Sequence, residues 1–193
     1  TVNPNAAITL TSAAGTDAQT VCENTAITTI TYSVTGGGTG AGATGLPTGV
    51  TGSYSGGIFT ISGTPTVTGT FNYTVTTTGT CVQTTATGTI TVNPNAAITL
   101  TSAAGTDAQT VCENTAITTI TYSVTGGGTG AGATGLPTGV TGSYSGGIFT
   151  ISGTPTVTGT FNYTVTTTGT CVQTTATGTI TVNPNAAITL TSA

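Results

Sequence analysis

The sequence contains no lysine, no arginine and no histidine. Without cations it has nothing to neutralise phosphate, which argues against nucleic acid as a partner. Polybasic attraction to an anionic membrane is excluded for the same reason. Histidine, the commonest general acid–base group, is missing, and so is any lysine nucleophile. A Lys–Asn isopeptide cross-link cannot form, and trypsin has no cleavage site. Aspartate and glutamate together number four, and charged residues make up 2% of the chain. Solubility must therefore rest on hydroxyls, amides and backbone. Trp and Met are absent and aromatics reach only 5%, enough for small cores rather than a large one. No apolar run is long enough to span a bilayer. No secretory signal is visible. The chain starts and stops inside a repeat, so it reads as an excerpt of a longer array, with targeting segments, anchors and caps expected outside it.

Repetition fills the chain. Gly45-Leu46-Pro47-Thr48-Gly49-Val50 returns unchanged at Gly135 to Val140, an offset of 90 residues that the whole sequence obeys. The expected organisation is residues 1–4 as the end of one repeat, 5–94 as module 1, 95–184 as module 2, and 185–193 as the first strand of a third. A period this long, filled with short β-type segments, indicates an array of small domains rather than a thin solenoid.

Thr is the commonest residue, which suits strands because it is β-branched and can face water. Residues 6–11 alternate apolar residues with Thr, with Ile8 and Leu10 inward. Residues 19–22 form a short second strand and 28–34 the clearest one, with Ile30, Tyr32 and Val34 on one face. The stretch Gly36–Gly42 is expected to be a flexible loop. Residues 50–54 and 58–62 flank Ser55-Gly56-Gly57, a hairpin signal. Residues 70–77 carry Phe71, Tyr73 and Val75 inward, and 81–92 form the last strand. No segment has helical spacing. Seven short strands in one unit predict an all-β fold: tandem Ig-like antiparallel β-sandwich modules, head to tail. The joint Val92-Asn93-Pro94-Asn95 is short and Pro94 restricts it. The expectation is a semi-rigid rod of modules roughly 35–40 Å long.

Several motifs have a bland reading that outweighs the functional one. Gly40-Ala41-Gly42-Ala43-Thr44-Gly45 fits a dinucleotide-binding pattern, but Pro47 follows where a helix should open and no acid lies about 20 residues on. Asp17 and Glu23 are too few to ligate calcium, so no metal and no cofactor is expected. Asn72-Tyr73-Thr74 is a sequon in mid-strand. The Thr rows 74, 76, 78 and 85, 87, 89, 91 could order water as ice-binding faces do, although sheet twist spoils a flat lattice. Tyr54, with its copy Tyr144, stands beside a turn and is the candidate contact for a sugar ring.

Three segments carry a family resemblance: Gly45 to Val50, then Gly57-Ile58-Phe59-Thr60-Ile61-Ser62-Gly63-Thr64-Pro65, then Gly69-Thr70-Phe71-Asn72-Tyr73-Thr74-Val75-Thr76. They resemble the bacterial Ig-like repeat family, over about a third of each unit. The flanks Gln19-Thr20-Val21-Cys22 and Thr78-Gly79-Thr80-Cys81 are similar to repeats of giant surface adhesins of gliding Bacteroidetes. The resemblance implies export to the cell surface, by the type IX route, and a shaft role in a fibre or adhesin. The expected function is structural, without catalysis. The alternative is a carbohydrate- or ice-binding adhesin module. Expected partners are neighbouring identical modules, laterally associated chains and a glycan surface.

Four cysteines remain: Cys22, Cys81, Cys112 and Cys171. Two thiols per unit with no His are too few for zinc, and no base is present to activate a catalytic thiol. In an exported chain, disulfides are the expected state. If consecutive strands reverse direction, Cys22 ends an upward strand and Cys81 begins a downward one. Both then sit at one end, which predicts Cys22–Cys81 and Cys112–Cys171.

Overall fold

The computed structural model describes residues 2–189. The chain divides into two compact units, Thr1–Pro94 and Asn95–Ala193. All described secondary structure is β. The first unit has eight strands: β1 (Ala6–Leu10), β2 (Ala18–Cys22), β3 (Ile30–Gly36), β4 (Gly38–Thr44), β5 (Val50–Ser55), β6 (Ile58–Gly63), β7 (Gly69–Gly79) and β8 (Thr85–Asn93). The second repeats them as β9 (Ala96–Leu100), β10 (Ala108–Cys112), β11 (Ile120–Gly126), β12 (Gly128–Thr134), β13 (Val140–Ser145), β14 (Ile148–Gly153), β15 (Gly159–Gly169) and β16 (Thr175–Asn183). Residues 185–189 carry no strand. The rest of the expected third-module strand, 190–193, lies outside the described residues.

Each unit is a sandwich of two four-stranded sheets. In the first unit their orders are β1-β3-β6-β5 and β2-β8-β7-β4. Alternation sorts the side chains. Ile30, Tyr32 and Val34 of β3, Phe59 and Ile61 of β6, Tyr73 and Val75 of β7, and Ile90 and Val92 of β8 all face inward and are buried. Ile8, Leu10 and Phe71 pack half-buried around them. Burying a side chain of this size contributes about 1.5–3 kcal/mol, so this short list forms the core of each sandwich.

Two departures from the sequence reading matter. The expected flexible loop is largely strand β4, which pairs antiparallel with β7 from Gly38↔Gly79 to Thr44↔Thr74. Glycine weakens a strand entropically, and here Gly40 lies close to a neighbouring side chain while Gly42 faces open space. A Cβ on Gly40 would stand 2.7 Å from Thr78 Oγ1. Ala41 and Ala43 of the same strand pack against the core. The second departure is direction. β1 begins where the Ala6 N–H donates to Val82 O, at 3.0 Å. β2 ends with Cys22 opposite Asn93, in parallel register with β8. Both strands therefore run from the entry to the exit of the unit, the chain stepping from one sheet to the other between them. They do not form the reversing pair expected from sequence.

Candidate functional site

The topology places one cysteine at each end of each unit. At the exit, Cys22 is the last residue of β2, opposite Asn93 at the end of β8. The turn beyond it is tied down: the Glu23 N–H donates to Asn93 O and the Asn24 N–H to Pro65 O, both at 2.9 Å. Asn24 has φ 61°, the left-handed region that Asn tolerates better than most residues. The second unit repeats this with Cys112 opposite Asn183.

At the entry, Cys81 lies in the 80–84 link between β7 and β8, with Sγ 3.7 Å from Asn3 O. This link replaces the first part of the expected last strand. The Gln83 side-chain amide donates to Cys81 O at 2.6 Å. Thr77, buried at 1% exposure, bonds the far side of the link: its N–H donates to Thr84 O at 3.0 Å and its Oγ1 accepts from the Thr84 N–H at 2.9 Å. In the second unit the Val172 N–H donates to Asn95 Oδ1 at 3.2 Å, and Val172 O accepts from the Ala96 N–H.

The expected pairings are therefore corrected. Cys22 and Cys81 sit at opposite ends of β8, a nine-residue strand. At about 3.3 Å per residue that separation far exceeds the roughly 7 Å between Cα atoms that a disulfide allows. The same holds for Cys112 and Cys171. Cys81 and Cys112 carry free thiols, Cys81 half-buried and Cys112 exposed. The disulfide-bonded cysteines are Cys22 and Cys171. Strand counting failed at two steps, the parallel β2–β8 pairing and the strand β4 that it left out.

With the cysteines at the ends, another tie holds the sheets. Antibody domains join their B and F strands by an inter-sheet disulfide beside a buried Trp. In this fold β3 and β7 take those places in the two sheets, and Tyr32 and Tyr73 meet there, hydroxyl to hydroxyl at 2.9 Å. The copy is Tyr122 with Tyr163, at 3.0 Å. Burial raises the pKa of Tyr73 well above the usual phenol range, and the hydrogen bond with Tyr32 adds to it. Burial raises Tyr32 as well. Gly88 makes room for the pair, because a Cβ there would run into the Tyr73 hydroxyl and into Asp17 O. The alternation of 28–34 and 70–77 marked both tyrosines as inward. Their bond to each other was not legible, because it needs the inter-sheet register.

Tyr54 and Tyr144 lie on β5 and β13, at the edges of their sheets, half-buried and packed against the core. The Thr rows face each other across β7 and β8: Thr70↔Thr91, Thr74↔Thr87 and Thr76↔Thr85. Thr89 Oγ1 donates to Asn72 Oδ1 at 2.9 Å, so the sequon asparagine is engaged in the sheet. Among the described residues no three His, Cys, Asp or Glu side chains converge as metal ligands.

No protein-family profile matches the chain, and no curated protein matches it. Solved structures do. A fragment of the titin I-band superposes with a TM-score of 0.62 at 9% identity, covering 86% of this chain and 63% of the fragment. This chain thus spans less than two thirds of that structure. A three-Ig titin structure with an E-to-A change gives 0.65 at 9% identity, over 95% of this chain and 67% of that one. The IG1+IG2 pair of DIP-gamma gives 0.55 at 11% identity, over 96% of this chain and the whole of that one. At these identities the likeness speaks to fold alone: the chain consists of Ig-like β-sandwich domains in tandem.

Proposed function

We propose that this chain is a structural spacer, the shaft of an extracellular fibre or large cell-surface adhesin, with no chemistry of its own. The observation that carries the reading is an identical unit, repeated without variation, with a cysteine at each end rather than across its middle. Bonded cysteines fit an oxidising compartment, which supports an extracellular setting. The Ig-like tandem is consistent with a spacer. The bacterial surface and type IX export remain part of the proposal and rest on the resemblance of residues 19–22, 45–76 and 78–81.

The test is single-molecule extension by the two termini. Under reducing conditions each unit should unfold as one resisted event and release about 300 Å, at about 3.6 Å per residue. Units that yield without resistance would overturn the spacer. So would glycan binding that Tyr54→Ala and Tyr144→Ala abolish together, which would favour the carbohydrate-binding alternative.

A further inference from the structure

The sheet β2-β8-β7-β4 has two edges, and they are finished differently. Edge β2 is five residues long. Asp17 precedes it and Glu23 follows it, and these are the only charged residues of the first unit. The Gln19 side chain accepts from the Thr28 N–H at 2.8 Å and donates to Thr28 O at 2.9 Å. Charge, shortness and cover are common guards of a sheet edge. Edge β4 has none of the three. It runs seven residues, Gly38–Thr44, without charge or proline. Among the described residues its backbone bonds only to β7, so its other side presents a row of unpaired N–H and C=O groups. One bulge, between Gly38 and Gly40, leaves residues 40–44 in regular register.

Gly42 sharpens the contrast. Ala41 and Ala43 pack against the core, so Gly40, Gly42 and Thr44 alternate onto the outer face. Gly42 has no positive φ, and a Cβ there would meet nothing within 4 Å. Nothing inside the unit calls for glycine at this position, where it weakens the strand. Glycine in a strand also marks places where another backbone approaches closely. Gly132 on β12 repeats the arrangement in the second unit.

We infer that copies of this chain join edge to edge, β4 of one pairing antiparallel with β4 of another about a two-fold axis at Gly42. Gly42 then faces Gly42, Ala41 faces Ala43 and Gly40 faces Thr44, and two four-stranded sheets become one. The occupant is a second copy because an antiparallel row of donors and acceptors is self-complementary under that symmetry. Each copy covers the other's unpaired groups. Residues 40–43 offer only hydrogens and methyls, so a foreign peptide would find no side chain to read, whereas an identical strand needs none. Like charges do not oppose the pairing, since Asp17 and Glu23 flank the far edge of the sheet. The inference rests on the spacer reading for its purpose, the bundling of shafts, and adds the surface by which they bundle.

The experiment follows the full 193-residue chain, its free thiols capped with iodoacetamide, by sedimentation across a range of concentrations. The unaltered chain should start at 18.5 kDa and at least double in mass as concentration rises. Gly42→Lys together with Gly132→Lys sets like charges face to face across each pair and should hold the chain at the monomer mass. The new side chains enter open space, so circular dichroism should be unchanged. Gly42→Glu together with Gly132→Glu should also stay monomeric, and mixing the Lys chain with the Glu chain should restore association. Thr87→Lys together with Thr177→Lys adds the same charge on β8 and β16, inside the sheet rather than at its edge, and should associate as the unaltered chain does. An unaltered chain that stays monomeric, undiminished association with lysine at 42 and 132, no recovery on mixing, or equal loss with lysine at 87 and 177 would each overturn edge pairing. A chain that resists extension but stays monomeric keeps the spacer and loses this inference. A chain that pairs through β4 but yields without resistance does the reverse.

Discussion

Residues 5–94 and 95–184 are the same sequence twice, folded into the same strands in the same register, yet their cysteines differ. In the first unit the exit-end cysteine is bonded and the entry-end one is free, and in the second the assignment is reversed. The setting differs as well, for Cys22 is half-buried and Cys112 exposed. The tyrosine ties behave differently. Tyr32–Tyr73 and Tyr122–Tyr163 are made in both units, at 2.9 and 3.0 Å, because both partners belong to one sandwich. The tie in the middle of the fold is thus made within each unit.

The largest expected effect follows from opening the disulfide. Cys22 and Cys171 are disulfide-bonded, and losing a native disulfide costs about 2–5 kcal/mol. Calorimetry of the full chain should show lower melting on reduction, and Cys22→Ser should reproduce the drop without reductant. Equal melting with and without reductant would show that the bond contributes nothing to stability.

Next in size is Gly88→Ala, with Gly178 left intact as an internal control. The added methyl meets the Tyr73 ring and hydroxyl and the backbone oxygen of Asp17. Backbone cannot step aside, so the cost should fall near about 3 kcal/mol, the upper part of the range for overpacking. Under reducing conditions one unit should melt early and the other unchanged. A single shared shift would mean that the two sandwiches do not unfold independently.

The hydroxyl pair comes third. Tyr73→Phe leaves the Tyr32 hydroxyl buried without its partner and should cost about 1–3 kcal/mol. Adding Tyr32→Phe removes the orphan and should recover much of that loss. The pair also predicts alkaline behaviour. Burial holds both phenols protonated to higher pH than in the unfolded chain. Their contribution is therefore complete below the unfolded value of about 10 and is lost as pH rises through and beyond it. Melting should fall above pH about 10, and less steeply in the double Phe variant of both units. Equal slopes would remove the buried tyrosines as the cause.

These comparisons also separate what the sequence made legible from what it hid. Period-two alternation placed Ile30, Tyr32, Val34, Tyr73, Val75, Ile90 and Val92 in the core, because facing is a local property of a strand. The hairpin at Ser55-Gly56-Gly57 was local too, and β5 pairs with β6 there. Strand β4 was hidden because what holds it is its pairing with β7, which lies far along the chain. The cysteine pairing was hidden for a related reason. Whether β2 reverses against its neighbour or runs parallel to β8 is decided by which sheet it joins. The step at residues 12–17 that carries the chain across carries no signature beyond an ordinary turn. Each error fell where a local pattern was asked to settle a long-range pairing.

The smallest expected effect sharpens the opening comparison most. Cys112→Ser changes a residue whose neighbours in sequence and in the sheet match those of Cys22, but whose thiol is free and exposed. Serine keeps the size and removes only the thiol chemistry. No bond is lost and no cavity opens, so melting of the monomeric chain in oxidising buffer should stay within about 0.5 kcal/mol of the unaltered protein. Cys81→Ser should be almost as quiet: its thiol is half-buried against Asn3 O at 3.7 Å, a contact a hydroxyl can keep. The same substitution made 90 positions earlier, at Cys22, should carry the full cost of the disulfide. If Cys112→Ser destabilises as much as Cys22→Ser, then Cys112 is bonded in the monomer, and the two units are not in opposite redox states after all.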